Sequence, residues 1–208
     1  MTDQQRTPEW FAQRTGKVTA SRVHDVIAKT KSGYSASRDN YLAQLVVERF
    51  TGQVTESYSS AAMQWGTDQE PFARAAYEIA TGENVIETGY IEHPIISTAG
   101  ASPDGLVGTD GLIEIKCPST ATMIETWLEE TVPQKYITQM QWQMACTGRA
   151  WCDYVVFDPR MPEGLQLWQK RIVRDDEYIA MLEKEVETFT GIVDYKVQQL
   201  RDIAAQNR

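Results

Sequence analysis

The sequence predicts an α/β (α+β) protein with a central mixed β-sheet flanked by helices. Three observations predict this class: helical periodicity in the N-terminal part, short β-rich segments between residues 85 and 174, and helical stretches between and after those segments. With 208 residues, of which 42% are hydrophobic, the chain suits one domain. We expect a helical part over 7–82, a sheet over 85–174 and a C-terminal helix over 175–205, together forming a single domain over 1–208.

Helix signals run through the N-terminal part. The segment "TPEWFAQR" begins with Thr7 as N-cap and Pro8 at the first helical position. The segments "TASRVHDVIAK" and "SASRDNYLAQLVVERFTG" predict two further helices, the second ending at Gly52. The segment "AAMQWGTDQEPFARAAYEIATG" is helical up to its last glycine, and Gly66 and Pro71 predict a kink or a division into two helices.

Strand signals begin after this helix. The segments "NVIETGYIEHPIIS", "ASPDGLVG" and "GLIEIKCP" predict a meander of three strands. A helical stretch over 120–148 is broken near Pro133, and the strands "WCDYVVFD" and "LQLWQKRIV" follow it. From Asp175 onward, apolar residues at alternating spacings of three and four predict a long helix. Its apolar face can dock on its own domain or on a neighbouring subunit, and docking on its own domain is the commoner outcome for an amphipathic helix.

The composition argues against several kinds of site. Three cysteines, with no C-x-x-C pair, do not predict disulfides, structural zinc or an iron–sulfur cluster. With only His24 and His93 available, a bound metal would have oxygen ligands, which favours hard cations such as Mg²⁺ or Mn²⁺. The N-terminal segment is polar and no apolar run has the length of a membrane span, so we expect a cytoplasmic protein that does not bind membranes.

The net charge of −9 is unevenly distributed. Residues 1–40 carry seven basic and four acidic residues, and residues 160–174 carry four basic and one acidic residue. An acidic protein can bind nucleic acid through such local basic faces. Ordinary mixed surface charge explains the same counts equally well, so charge alone does not identify a partner.

The segment "GLIEIKCP" carries an unusual combination of apolar and charged residues. Residues two apart share one face of a strand, so Glu114 and Lys116 project together while Ile113 and Ile115 pack on the opposite face. A hairpin through the Asp-Gly of "VGTDG" can place Asp104 of "ASPDG" beside them. The alternative is a cross-strand ion pair on a solvated sheet face, which an isolated E-x-K favours.

Pro-Asp followed about ten residues later by Glu-x-Lys resembles the signature of the PD-(D/E)xK nuclease superfamily. Two carboxylates about 5 Å apart repel by about 3 kcal/mol at an effective dielectric near 20, so such a cluster suits a cation between them. One or two Mg²⁺ ions at Asp104 and Glu114 would polarise a scissile phosphate and acidify a bound water. Lys116 would position that water and stabilise the charge that develops on the phosphorane.

Further stretches extend this resemblance from Glu9 to about Asp176. In order and spacing, "EWFAQRTGKVTASRVHDVIAK", "MQWGTDQEPFARAAYE", "ASPDGLV", "GLIEIKCP" and "YITQMQWQM" resemble the YqaJ-type viral recombinase family, which includes bacteriophage lambda exonuclease. The resemblance implies a restriction-endonuclease-like core and a 5′→3′ exonuclease. Such an enzyme digests linear double-stranded DNA to 5′-mononucleotides and leaves 3′ single strands for annealing-type recombination. It also implies a ring-shaped homotrimer, a single-strand annealing recombinase as partner, and a phage or prophage origin.

The resemblance assigns roles to residues near the E-x-K strand. Asp104 and Glu114 match metal ligands, and the main-chain carbonyl of Ile115 adds to the coordination. Lys116 matches the catalytic lysine. Glu70 matches an acidic residue that supports a second metal.

A second set matches the pocket for the 5′-phosphate of a DNA end: Arg14, Ser21, Ser102 and Gln139, with Tyr136 nearby. Arginine supplies a planar fork for phosphate, and a hydroxyl near a helix start adds a donor to the same anion. We expect Arg14, Lys17 and Lys31 to face the DNA channel of the ring. Many RecB-like relatives carry Gln and then Tyr four residues later, whereas this chain has Gln139 and then Gln143.

Other classes of function stay open on sequence alone. A DNA-end binding module without catalysis is opposed by the intact set of Asp104, Glu114 and Lys116. A glycosidase that uses Asp104 and Glu114 as acid and base leaves the lysine unexplained. A site-specific endonuclease of the same fold is the nearest enzyme alternative.

Overall fold

The structure is a computed structural model that describes residues 5–31, 33–55 and 60–207. In these ranges the chain forms the helices α1 (Pro8–Arg14), α2 (Ala20–Ile27), α3 (Ala36–Thr51), α4 (Ala61–Thr81), α5 (Thr120–Glu129), α6 (Gln134–Thr147) and α7 (Asp176–Gln206). The strands are β1 (Val18–Thr19), β2 (Lys29–Thr30), β3 (Gly33–Tyr34), β4 (Val85–Ile86), β5 (Ile91–Glu92), β6 (Ala99–Ala101), β7 (Gly105–Val107), β8 (Gly111–Lys116), β9 (Trp151–Phe157) and β10 (Leu167–Val173). None of the helices in the described ranges combines the length and apolar character that a bilayer span requires.

The centre of the fold is a five-stranded mixed sheet with the order β10-β9-β8-β7-β4. Strands β8 and β9 are parallel, and the other neighbours in this sheet are antiparallel. Strands β1, β6 and β5 form a small second sheet, and β2 and β3 form a hairpin. The predicted α/β class with a central mixed sheet flanked by helices is therefore confirmed.

The two faces of β8 pack against different helices. Ile113 and Ile115 belong to a buried cluster with Tyr77 of α4. Leu112 belongs to another cluster, together with Met140 of α6. This alternation is the period-two pattern of a strand with both faces covered, and it directs the side chains of Glu114 and Lys116 towards the α6 side.

The predicted helices are present, and their ends follow local signals. Thr7 caps α1 by accepting a hydrogen bond from the main-chain N–H of Trp10 at 3.2 Å. Gly52 ends α3 with φ of 69°, in the left-handed region that glycine tolerates best. Helix α4 runs without division through Gly66 and Pro71. Its 21 residues are held by packing of Tyr77 under the sheet, so the local effect of the proline does not end the helix.

The predicted meander of three strands is wrong in detail. Residues 84–117 form five strands that are shared between two sheets, because β6 pairs with β5 and with β1 rather than with β7. Pro94 follows β5, and Pro103 stands between β6 and β7. A proline has no N–H for a strand ladder, so both positions interrupt the pairing that a regular meander needs.

Helix α7 docks on its own domain over most of its length, as predicted. Ile179, Leu182, Val186, Phe189 and Val193 are buried, and all but Ile179 join a cluster with α2 and α3. The buried apolar stripe of α7 ends before the helix does. The last two positions of the predicted stripe, Leu200 and Ile203, are 43% and 53% exposed.

Gly100 in β6 is a position where the fold has no room for a side chain. An added Cβ would collide with the Tyr90 hydroxyl and lie 2.5 Å from the main-chain oxygen of Ile91. We expect Gly100→Ala to lower the free energy of unfolding by about 1–3 kcal/mol in urea denaturation. Gly191→Ala in α7 is the control, because its Cβ would meet nothing within 4 Å and the change should be neutral or slightly stabilising. Equal destabilisation by both substitutions would contradict this account.

Candidate active site

The β7–β8 hairpin brings Asp104 next to the strand that carries Glu114 and Lys116. Gly105 pairs with Ile113 in an antiparallel register, so the preceding residue, Asp104, reaches the level of Glu114. Asp104 Oδ2 accepts a hydrogen bond from the main-chain N–H of Ile115 at 2.7 Å. The structure thus groups the carboxylates and the lysine that the sequence singled out.

Glu114 is held by three donors. Its side chain is only 1% exposed, and the Lys116 ammonium donates to Oε1. Gln139 Nε2 donates to Oε1 at 2.7 Å, and Gln143 Nε2 donates to Oε2 at 2.6 Å. Gln143 was not predicted as a site residue, although its spacing of four from Gln139 places both amides on one face of α6. Gln139 was predicted to belong to the 5′-phosphate pocket of Arg14. In this structure it contacts the carboxylate of Glu114 and does not line the cavity beside Arg14.

Burial and neighbouring charge govern the protonation of this cluster. Burial raises the pKa of Asp104 well above its ordinary value, and the charge of Glu114 raises it further. Burial by itself lowers the pKa of Lys116, but the charges of Glu114 and Asp104 outweigh it and raise that pKa above its ordinary value. Lys116 therefore stays an ammonium. A further positive charge beside Asp104 would favour the ionised form of its carboxyl group.

The donor set fits a hard divalent cation. Asp104 Oδ1 has no hydrogen-bond partner in the described part of the chain. A carboxylate offers about four acceptor positions, so the three donors on Glu114 leave one. Mg²⁺ characteristically uses one or two carboxylates and keeps several waters. Within the described ranges no group of three Asp, Glu, His or Cys side chains is placed to hold a metal. Further ligands would then be water or a main-chain oxygen, as in the role predicted for Ile115.

Glu70 lies on α4 and is paired with two arginines. Arg6 Nη2 lies 2.8 Å from Oε2, and Arg74 Nη2 lies 3.5 Å from Oε1. The charge of Glu70 also contributes to the raised pKa of Asp104. Glu70 is thus close enough to act on Asp104, and its role at a second metal stays a prediction.

Arg14 and Ser102 form a second group beside Asp104. Arg14 Nη1 donates to Ser102 Oγ at 3.1 Å, and Trp10 Nε1 donates to the same oxygen at 2.9 Å. The guanidinium of Arg14 stacks on Trp10, 3.8 Å from the ring centroid. Burial lowers the pKa of Arg14. Among the described residues no carboxylate forms an ion pair with Arg14, so a fixed guanidinium keeps donors for an anion.

A cavity of about 370 Å³ opens beside Arg14 and is also lined by Ser21. Ser21 is exposed in the first turn of α2, and the N-cap residue Thr19 makes no side-chain capping hydrogen bond. The first amides of a helix bind anions when no side chain caps them. Arg14 thus lines one cavity with Ser21 and is hydrogen-bonded to Ser102, and the role of these three residues in binding a 5′-phosphate stays a prediction.

Tyr136 and Lys31, two further residues predicted to bind DNA, lie outside the cavity beside Arg14. Tyr136 stacks on Tyr154 with ring centroids 5.4 Å apart, and Lys116 Nζ lies 5.0 Å from the Tyr136 ring centroid. Tyr136 thus adjoins the lysine rather than Arg14. Lys31 is exposed in the turn between β2 and β3 and does not line the Arg14 cavity.

The contact between Gln143 and Glu114 predicts a stability effect. Gln143→Met keeps the size of a fully buried side chain but leaves Glu114 Oε2 without its donor. We expect a loss of about 1–3 kcal/mol in the free energy of unfolding, measured in urea, because a buried acceptor loses its partner. Gln199→Met is the control, because Gln199 is exposed near the end of α7. This change should alter the free energy of unfolding by less than about 0.5 kcal/mol. An unchanged Gln143→Met protein would show that this hydrogen bond does not hold Glu114.

Comparison with known proteins gives one family and several solved structures. A family model described as the YqaJ-like viral recombinase domain matches residues 9–150. The uncharacterized protein YqaJ of Bacillus subtilis (strain 168) is 32% identical over 141 residues, which are 66% of this chain and 43% of that protein. The chain therefore spans less than half the length of this curated relative.

The crystal structure of an alkaline exonuclease, LHK-Exo, from Laribacter hongkongensis has a TM-score of 0.91 and 52% identity, covering 97% of this chain and 100% of that one. LHK-Exo in complex with dAMP gives the same TM-score of 0.91 at 53% identity, with the same coverage of 97% and 100%. A phage related exonuclease from Haemophilus somnus 129PT has a TM-score of 0.73 at 16% identity, covering 88% of this chain and 96% of that one. At this low identity the last comparison bears on the fold alone.

Proposed function

The chain belongs to the YqaJ-like viral recombinase family, and we propose that it is a Mg²⁺-dependent 5′→3′ exonuclease on linear double-stranded DNA. A nuclease is supported by the similarity to LHK-Exo, an alkaline exonuclease, over nearly the whole chain. The single observation that carries the finer proposal is the grouping of Asp104, Glu114 and Lys116 beside the Arg14 pocket.

The residues of the cluster have separable roles. Asp104 and Glu114 would hold one or two divalent cations, either Mg²⁺ or Mn²⁺. Such a cation would polarise the scissile phosphate and lower the pKa of a bound water. Lys116, held on Glu114, donates to the oxygen on which negative charge develops. Gln143 fixes the orientation of the Glu114 carboxylate through its second oxygen.

The Arg14 pocket supports the direction of digestion. Arg14, Ser102 and the uncapped start of α2 provide donors for a terminal phosphate close to Asp104. A strand held by its 5′-phosphate presents its first phosphodiester to the cluster, and cleavage there releases a 5′-mononucleotide. The crystallisation of LHK-Exo with dAMP, a deoxynucleoside monophosphate, supports this class of product.

The oligomeric state and the partner protein that we propose are those that membership of the family implies. We expect a ring-shaped homotrimer that encloses the duplex, with Lys31 near the channel, and a single-strand annealing recombinase that takes the 3′ strand. Such a system would work in the cytoplasm of a bacterium that carries the phage or prophage. Light scattering should give three times the 23.6 kDa chain mass, and a monomer at all concentrations would contradict the ring.

The requirement for a DNA end separates this function from an endonuclease of the same fold. With Mg²⁺, the protein should release acid-soluble nucleotides from linear duplex and leave covalently closed circular duplex intact. Cutting the same circle once with a restriction enzyme should make it a substrate. Cleavage of the closed circle would identify an endonuclease, and binding of linear ends without any release would identify an inactive end-binding module.

A further inference from the structure

The segment before α1 lies against the catalytic cluster. Gln5 Nε2 donates to the main-chain oxygen of Pro103 at 2.7 Å, and Pro103 directly precedes Asp104 in the chain. Thr7 caps α1, so Arg6 lies between two anchored residues. These contacts place the Arg6 side chain at the rim of the cluster, and they do not depend on the Arg6 side chain itself.

Arg6 has one partner in this position. Its Nη2 lies 2.8 Å from Glu70 Oε2, and among the described residues its side chain forms no other hydrogen bond. The Arg6 side chain is 50% exposed. An ion pair with a partner exposed to this extent is weak, because water competes for both charges. Arg6 is therefore able to leave Glu70.

Arg74, the second arginine beside Glu70, is held differently. Its Nη1 donates to Glu87, and its Nη2 lies 3.5 Å from Glu70 Oε1. Its side chain is only 14% exposed, and it lies on α4, the helix that carries Glu70. Arg74 is thus a fixed neighbour of Glu70, and Arg6 is the neighbour that can be exchanged.

The charge of Glu70 acts on the catalytic carboxylates. Burial raises the pKa of Asp104, the charge of Glu114 raises it further, and the charge of Glu70 adds to both effects. A charge that disfavours the ionised form of Asp104 attracts a cation at the same place. A divalent cation on Asp104 is therefore stabilised by Glu70 even without a direct bond between them. Arg6 opposes this attraction, because its guanidinium neutralises Glu70.

We propose that Arg6 competes with the catalytic divalent cation for the charge of Glu70, and so lowers the affinity of the cluster for metal. This inference rests on the proposed function, which places the cation at Asp104 and Glu114. The guanidinium and the cation repel each other, so cation binding favours release of Arg6 into solvent. In the metal-free protein, Arg6 supplies the positive charge that Glu70 attracts.

The test measures the affinity for Mn²⁺ by calorimetry in the absence of DNA, so that the result does not depend on activity. Arg6→Gln removes the charge of an exposed side chain and keeps its polarity. Lys29→Gln is the matched control, because Lys29 forms an exposed ion pair with Glu185 of α7 and its loss changes the net charge equally. Arg6→Gln is also made in a Glu70→Gln background, and thermal unfolding shows that each variant is folded.

We expect Arg6→Gln to bind Mn²⁺ about threefold to tenfold more tightly than the unsubstituted protein, because the loss of one exposed charge acts twice as strongly on a divalent cation as on a single charge. Lys29→Gln should change the affinity by less than about twofold. Glu70→Gln should weaken binding. Adding Arg6→Gln to Glu70→Gln should then change the affinity by less than about twofold, because no other described residue holds the guanidinium at the cluster.

Unchanged or weaker Mn²⁺ binding by Arg6→Gln would overturn the inference, since a merely structural role of Arg6 predicts that result. Equal tightening in Lys29→Gln, or full tightening in the Glu70→Gln background, would also overturn it. In each of these results the unsubstituted protein binds Mn²⁺, so the proposed function is not affected. Absence of Mn²⁺ binding by the unsubstituted protein would overturn both the inference and the proposed function.

Discussion

Lys116→Ala is expected to lower the rate of nucleotide release from linear duplex DNA by about 10³-fold, while the protein still folds. The ammonium of Lys116 is the one basic group bonded to Glu114 in the described structure. Removing a donor that stabilises developing charge typically costs about 10²–10³-fold, and loss of proton-transfer assistance adds to this. Glu114 keeps the amides of Gln139 and Gln143, so circular dichroism should show the native fold with a lower thermal midpoint.

Lys135→Ala is a matched control for this prediction. Lys135 lies near the same aromatic ring as Lys116, 4.7 Å from the Tyr136 centroid, but it has no hydrogen bond to Glu114. Its loss should change the rate by less than about twofold, since exposed surface substitutions rarely perturb a site. Near-full activity of Lys116→Ala, or an equal loss in Lys135→Ala, would remove Lys116 from the mechanism.

Asp104→Asn is expected to reduce activity by about 10³-fold and to weaken Mg²⁺ and Mn²⁺ binding at least about tenfold in calorimetry. A cation contributes several kcal/mol to phosphoryl chemistry, which corresponds to a rate factor of this size. Asparagine keeps the oxygen that accepts from the Ile115 N–H, so the hairpin contact is retained. Since the change removes a carboxylate whose charge is disfavoured next to that of Glu114, the metal-free variant should unfold at no lower urea concentration than the unsubstituted protein.

Asp110→Asn provides the control in the same hairpin, because Asp110 is exposed in the turn between β7 and β8. It should leave both metal binding and activity unchanged. Unaltered cation affinity in Asp104→Asn, or marked destabilisation of its metal-free form, would assign Asp104 a structural role instead.

The parts of the fold that were predicted correctly depend on local chemistry. The cap at Thr7 and the left-handed Gly52 are settled by neighbours a few residues away. The division of α4 that Pro71 suggested is not observed. Packing of α4 under the sheet holds it as one helix, and this packing involves residues far along the chain that a local pattern does not show. The two-residue strands β4 and β5 are too short to carry a period, so their assignment to different sheets could not be predicted.

The candidate site divides in the same way. The hairpin register follows from strand alternation and spacing, and therefore Asp104, Glu114 and Lys116 could be grouped in advance. The amide of Gln143 on Glu114 and the pairing of Arg6 with Glu70 join residues 29 and 64 positions apart. The spacing of four between Gln139 and Gln143 shows that they share a helix face, but which residue that face meets depends on how α6 and the N-terminal segment pack.

Digestion of one linear duplex with either 5′-phosphate or 5′-hydroxyl ends, with Mg²⁺ or with EDTA, shows whether the protein is a metal-dependent exonuclease that starts from a 5′-phosphate. We expect release of 5′-mononucleotides with Mg²⁺, at least about tenfold faster from phosphorylated ends because Arg14 and Ser102 bind the terminal phosphate. We expect no release of nucleotides in EDTA. Equal rates from both kinds of end, or hydrolysis that continues in EDTA, would contradict these expectations.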